Sequence, residues 1–339
     1  MDSPAPWSFS LDLAGVVSLA DISVVAQRTA LTGNAAFLDI FVLSPGLHCQ
    51  QKAAGVNDGE YPAAAAMTTG YVFRVENPAT IYFLKNVGRT GELTTLSVNA
   101  IPDLAGKDRW LDILFAVDTA TPVGIVAYFL AVGSTLSVLF LLVYSRDWWG
   151  LSVITLLIIN RLINFLLVRA RGSRGWRGAR EDGDGDLLVL LSQDRWIRMI
   201  GAVNDLKAVT SGQWLRDMTW FESTASGFAT LLAYINAALA SNAKPFGKVL
   251  LMLLLFGSAG LLALVNVSTR KFQMHGHIIT VQGPRRKFRR RLDLAEALIK
   301  DSGRADWALR LGMINSIPEN VNVQSGWNDQ GSCHEGVTL

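Results

Sequence analysis

Asn160, Arg161 and Asn164 lie inside the apolar run Trp148 to Val168, where polar and ionisable side chains are expensive and by default point to function. The two asparagines are four residues apart, so on a helix they share a face. Arg161 precedes Arg169 by eight residues. At 1.5 Å rise per residue, that puts it about 12 Å below the end of the run. A guanidinium at that depth can grip an anion or pair with a carboxylate. Asp118 and Glu222, each at the edge of another apolar run, are the expected partners, and either could act as a proton donor. Asn160, Arg161 and Asn164 are therefore the candidate ligand-binding residues, and Asp118 and Glu222 the candidate catalytic ones. The bland alternative has Arg161 snorkelling to the headgroups while the asparagines bond neighbouring helices.

Other chemistry-bearing residues point to less. Each histidine has a ligand-type neighbour: His48 beside Cys49, His275 two before His277, and His334 after Cys333. On a strand, His275 and His277 would share a face. The pairs are too scattered for a zinc cluster, so no metal is expected. Asp182-Gly183-Asp184-Gly185-Asp186 resembles the start of a calcium loop, but Leu187 and Gln193 stand where Gly and Glu are needed. It suits a solvated linker. No Walker loop, dinucleotide fingerprint, serine-hydrolase elbow or zincin helix occurs, and no cofactor is expected.

The elements that must position these residues are mostly apolar. Half of the 339 residues are hydrophobic and 17% are charged, against about 25% charged in soluble domains. Thr121–Tyr144 carries no charge, and Phe246–Val265 carries only Lys248. About 20 helical residues cross a bilayer core, so each can span. Trp148–Val168 follows the first run after a three-residue turn, and the weaker run Phe221–Ala240 precedes Phe246 closely. The expectation is four transmembrane helices in two antiparallel hairpins. Leu11–Leu43 is also apolar, but Asp12, Asp21, Arg28 and Asp39 interrupt it too often for a span. Ala225, Ala229, Ala233 and Ala237, and likewise Ala127, Ala131 and Thr135, form small-residue stripes that let helices approach closely.

Basic residues orient the helices. Arg169, Arg171, Arg174 and Arg177 crowd the exit of the second span, and Arg285, Arg286, Lys287, Arg289, Arg290 and Arg291 follow the fourth. By the positive-inside rule, both termini and the long loop are cytosolic. These clusters are the expected contacts for anionic lipid headgroups rather than for nucleic acid. Two cysteines cannot form a disulfide framework, which suits the cytosol. The N-terminus has no basic, then apolar, leader, so a cleaved signal peptide is not expected.

Six portions follow. Residues 1–118 form a soluble α+β or β-rich domain, with strands at Tyr71–Val75, Thr80–Leu84 and Glu92–Ile101, divided by Asn77-Pro78. Residues 119–168 are the first hairpin. Residues 169–217 hold an Arg/Gly linker, then a strand or two, or a strand and a helix. Residues 218–267 are the second hairpin. In 268–316 a strand at His275–Val281, closed by Gly283-Pro284, precedes helices at Leu292–Ile299 and Trp307–Met313. It is expected to pair with the loop strand as a small α+β cytosolic module. Residues 317–339 have the composition of a disordered tail.

Asp194-Arg195-Trp196-Ile197-Arg198, Asp205 to Leu215, Ala238 to Ala243 and Arg291 to Glu296 together resemble a family of uncharacterised multi-pass membrane proteins from filamentous fungi. The likeness covers roughly residues 187–314. It implies a membrane protein and a fungal source, and it carries no activity or catalytic residue. Two functions stay open. One is a non-enzymatic scaffold, subunit or lipid-contacting adaptor, with a membrane protein partner or a second copy of the chain. The other is a membrane-embedded enzyme or carrier for an apolar small molecule, which needs Asp118, Arg161 and Glu222 in one cavity.

Overall fold

A computed structural model of the protein describes residues 14–101, 121–172 and 178–316. The chain begins with α1 (Ala14–Ser18) and α2 (Val24–Thr32), then two 3-10 segments, Phe37–Phe41 and Leu47–Gly55. Next come β1 (Ala63–Ala66), β2 (Val72–Arg74), α3 (Pro78–Val87) and β3 (Glu92–Ala100). Two long helices follow, α4 (Pro122–Tyr144) and α5 (Trp148–Arg171), then β4 (Asp184–Leu191), β5 (Arg195–Ala202) and α6 (Val203–Thr210). The chain continues through α7 (Trp220–Leu239), α8 (Pro245–Ser268), β6 (Lys271–Met274), β7 (His277–Lys287), α9 (Arg291–Ser302) and α10 (Asp306–Arg310).

Among the described residues, three helices, α4, α5 and α8, are long and apolar enough to cross a membrane. Each starts where its sequence says it should. Thr121 accepts from the Gly124 N–H ahead of Pro122, Asp147 accepts from the Gly150 N–H, and Pro245 occupies the first turn of α8. The expected fourth span is present as helix α7, 20 residues long and opened by a Thr219–Glu222 capping box. It falls outside the set apolar enough to span. Helix α4 packs on α8 and α5 on α7. Ala127, Ala131, Thr135, Ala229 and Ala233 are buried, as close helix packing requires.

The two short turns at one end of the helices are tied together by Asp147. It is 2% exposed, and its Oδ2 accepts from the Lys244 N–H at 3.0 Å while its Oδ1 takes Gly150 at 3.1 Å. A side chain at Gly247 would strike that carboxylate.

At the opposite end, seven strands form one sheet in the order β2-β1-β4-β5-β3-β7-β6. Among the described strands, β3 and β5 run parallel and the other neighbours are antiparallel. The portions expected as separate soluble modules thus share a single sheet. The loop strands do not pair with the His277 strand, because β3 from the N-terminal portion lies between β5 and β7. Alternation places Leu187, Val189, Ile197, Met199, Leu96 and Val98 on one face with α2, α3, α6 and the end of α5. Leu93, Leu188 and Trp196 face α9 and α10.

Two strand expectations change. Thr80–Leu84 lies in helix α3, because Asn77 caps the N–H groups of Ala79 and Thr80 and Pro78 starts the first turn. Gly283-Pro284 does not close the last strand. The register between β3 and β7 shifts there, Gly283 takes φ +62°, and the strand continues through the bulge to Lys287.

The described stretch before β1 does not cross as a helix; it packs both on the sheet and between the helices. Helix α1 lies against α7 and α8, α2 runs along α8, and both 3-10 segments pack on α5. A side chain at Gly15 would strike the Ala237 carbonyl. Val25, Val42, Leu43 and Leu47 share a core with residues of the three long helices. Asp147→Ala removes the two carboxylate acceptors of the Gly150 and Lys244 N–H groups where the hairpin turns meet and should cost about 2–3 kcal/mol. The check is thermal unfolding in detergent; an unchanged midpoint would show that the turns hold together without it.

Candidate functional site

Arg161 is 1% exposed and does not reach the helix end. Its Nε donates to the Asp39 carbonyl at 2.9 Å, and its Nη1 donates to Gln50 Oε1. The Gln50 amide donates onward to Thr29 Oγ1 at 3.2 Å. Asp39 is itself held twice: one carboxylate oxygen accepts from the Ala36 N–H at 2.9 Å, the other from the Tyr128 hydroxyl at 2.8 Å. The Arg28 guanidinium, 3% exposed, lies 5.8 Å from the centre of the Tyr128 ring. Five elements therefore converge on one buried cluster: α2, the two 3-10 segments, α4 and α5.

The asparagines form a second branch on the same face of α5. Asn160 donates to the Ala229 carbonyl of α7 at 2.7 Å, and Asn164 donates to Asn160 Oδ1 at 2.8 Å and to the Leu47 carbonyl at 3.2 Å. Gln51 donates to Asn164 Oδ1 at 3.1 Å and accepts from Arg171 Nη1 at 3.1 Å. Arg171 Nε also donates to the Arg216 carbonyl at 2.9 Å.

Three of the expected ligand-binding residues are thus brought together, and the asparagines do bond neighbouring segments. The snorkelling alternative for Arg161 fails, because its donors are directed at the N-terminal segment. Glu222 is not its partner. It sits in the first turn of α7, where both carboxylate oxygens are engaged by the Arg216 guanidinium, one at 2.8 Å and the other at 2.5 Å, and one also by the Thr219 N–H at 2.9 Å. Asp118 lies outside the described residues.

The basic residues divide as well. Arg171 is buried in the contacts just given, so it is not free for headgroups. Half-buried Arg169 donates to the Ala35 carbonyl at 3.3 Å and lies over the Phe165 ring. Arg285, Arg286, Lys287, Arg289, Arg290 and Arg291 are exposed. Arg286 binds Asp301 at 3.2 Å and Arg291 binds Asp194. Arg174 and Arg177 fall outside the described residues.

His275 and His277 do not share a strand face. His275 occupies the β6–β7 turn with φ +51° and contacts the Gln213 carbonyl at 3.1 Å, whereas His277 contacts Asp205 at 3.0 Å. Burial lowers the His48 imidazole below its usual range, with Lys52 adding to the effect. Burial also raises the neighbouring Cys49 thiol, helped by Asp21. A cleft of about 580 Å³ lies between the β1–β2 edge and α6, lined by Tyr71, Phe73, Leu187 and Lys207 among others. It contains none of the candidate residues.

Arg28, Asp39, Gln50, Gln51 and Tyr128 were not singled out by the sequence pattern. The available signal was the pair Arg28 and Asp39 inside an otherwise apolar stretch. It argued against a span, and it also supplied the opposite charge that Arg161 requires.

Comparison with known protein families, curated proteins and solved structures found no match, so the site rests on the chain's own geometry. Because Arg161 and Gln50 touch, Arg161→Met and Gln50→Leu should be non-additive in stability by at least about 0.5 kcal/mol. Arg161→Met and Glu222→Gln share no partner and should add to within about 0.5 kcal/mol. Unfolding midpoints of the single and double variants decide it; strong coupling in the second pair would reinstate Glu222 as the partner of Arg161.

Proposed function

We propose that the protein is a multi-pass integral membrane component without catalytic activity, acting as a scaffold, an assembly subunit or a lipid-contacting adaptor. The observation that carries this is where the intramembrane polar atoms go. Arg161, Asn160 and Asn164 bind backbone carbonyls and amide side chains of the same chain, which is how polar groups serve as glue between segments. An enzyme or carrier built on Arg161 and Glu222 loses its carboxylate, since Glu222 is held by Arg216 at the start of α7.

Four crossings with both termini cytosolic remain our reading of the topology. Helix α7 supports it by packing along α5 while exposing Phe221, Phe228, Leu231 and Ile235 on its other side. The exposed cluster Arg285–Arg291 supports the cytosolic side for the sheet and suits anionic headgroups. Apolar surface left open on the helices also suits a membrane protein partner or a second copy of the chain.

Two measurements test these points. Purification in mild detergent followed by mass spectrometry should recover another membrane protein, or a second copy, in fixed ratio. A tightly held apolar small molecule without such a partner would defeat the scaffold assignment. For topology, single cysteines at Ser192 and Ser241, in a chain with Cys49 and Cys333 replaced by Ser, should label from opposite sides of sealed membranes. Labelling of both from one side would remove the fourth crossing.

A further inference from the structure

Arg28 is a buried cation whose donors the described protein groups leave unmet. Its Nε and Nη1 are both buried without a hydrogen-bond acceptor, although the residue is only 3% exposed. Asp39 is the carboxylate of this cluster, and its oxygens are engaged by Tyr128 and the Ala36 N–H. Arg161 uses the backbone carbonyl of the same residue. Among the described residues, one carboxylate therefore stands against two guanidiniums, and arginine does not shed its proton to relieve the imbalance. Tyr128 offers Arg28 a ring face, which attracts the cation but accepts none of its in-plane N–H groups.

We propose that Arg28 binds an oxyanion, a carboxylate or a phosphate, which supplies the second negative charge of the cluster. An oxyanion suits the site better than a halide because a planar guanidinium presents several donors and an oxyanion several acceptors. The source is either a small free anion or the headgroup of an acidic lipid, whose chemistry at Arg28 is the same. The inference needs only the buried cluster. It stands or falls separately from the scaffold assignment, which turns on a partner protein.

The test uses the full chain in detergent. Its unfolding midpoint is followed while phosphate or acetate replaces chloride at constant ionic strength. A ligand that binds only the folded state should raise the midpoint saturably, by about 5 °C at a hundredfold excess over Kd. Arg28→Gln should abolish the rise, and Arg28→Lys should weaken it. Native mass spectrometry of the unaltered chain should show one phosphate adduct, which keeps the question open to measurement if Arg28→Gln does not fold. A rise with a short-chain phosphatidic acid but not with phosphate or acetate assigns the lipid source. No response to any of these probes and no adduct overturns the proposal. So does an equal rise in Arg28→Gln, which would be a general salt effect.

Discussion

A guanidinium placed within an apolar helix, far from either end, must be met by protein groups, and Arg161 imposes that demand on the rest of the fold. A regular helix beside it offers less accessible backbone, since its carbonyls already accept from N–H groups four residues on, although Ala229 of α7 still accepts from Asn160. The segment that answers is broken into α2 and two 3-10 stretches, which leave carbonyls accessible to side chains from outside. Asp39 serves Arg161, Leu47 serves Asn164 and Ala35 serves Arg169. Non-helical backbone among such apolar helices is tolerated where protein surrounds it, and here helices do. Arg28 and Asp39, two of the charges that interrupt this apolar stretch, thus belong to the same arrangement that draws the segment between the helices.

The sheet is joined to this arrangement rather than hung beneath it. Phe165 and Val168 of α5 enter the core on one sheet face, and Trp214 of the loop donates to the Gly33 carbonyl at 3.0 Å. Strand β6 follows α8 almost directly, while β3 brings the N-terminal portion into the middle of the sheet. The three portions of chain that leave the helices therefore cannot move apart without breaking strand pairing. Asp147 closes the opposite end in the same spirit, with one carboxylate shared by two turns.

Such consumption of polar groups supports the proposed framework role. Catalysis needs donors and acceptors that remain available to a substrate, and here Arg161, both asparagines and Glu222 are engaged within the chain. The open surfaces are of two other kinds: apolar side chains along the long helices, and the basic stretch from Arg285 to Arg291. Arg28 is the exception inside the cluster, with charge and donors to spare.

Periodicity and length were enough for the elements whose burial is local. The three long helices, the strand at Glu92–Ala100 and the helix after Arg291 follow from runs of apolar residues and their caps. Asn160, Arg161 and Asn164 were legible for the same reason, since polar atoms inside an apolar run stand out by cost alone. Their partners were not, because Asp39 and Gln50 lie 122 and 111 residues from Arg161 along the chain and no spacing rule reaches that far. Helix α3 was misread as a strand because its β-branched and aromatic residues suit either state, and its Asn-Pro cap decided between them. The order of the sheet, with a parallel pair joining the N-terminal portion to the loop, was decided only by tertiary structure. Strand pairing depends on which apolar faces meet once the helices have packed, and one chain's alternation pattern fits several such meetings equally well.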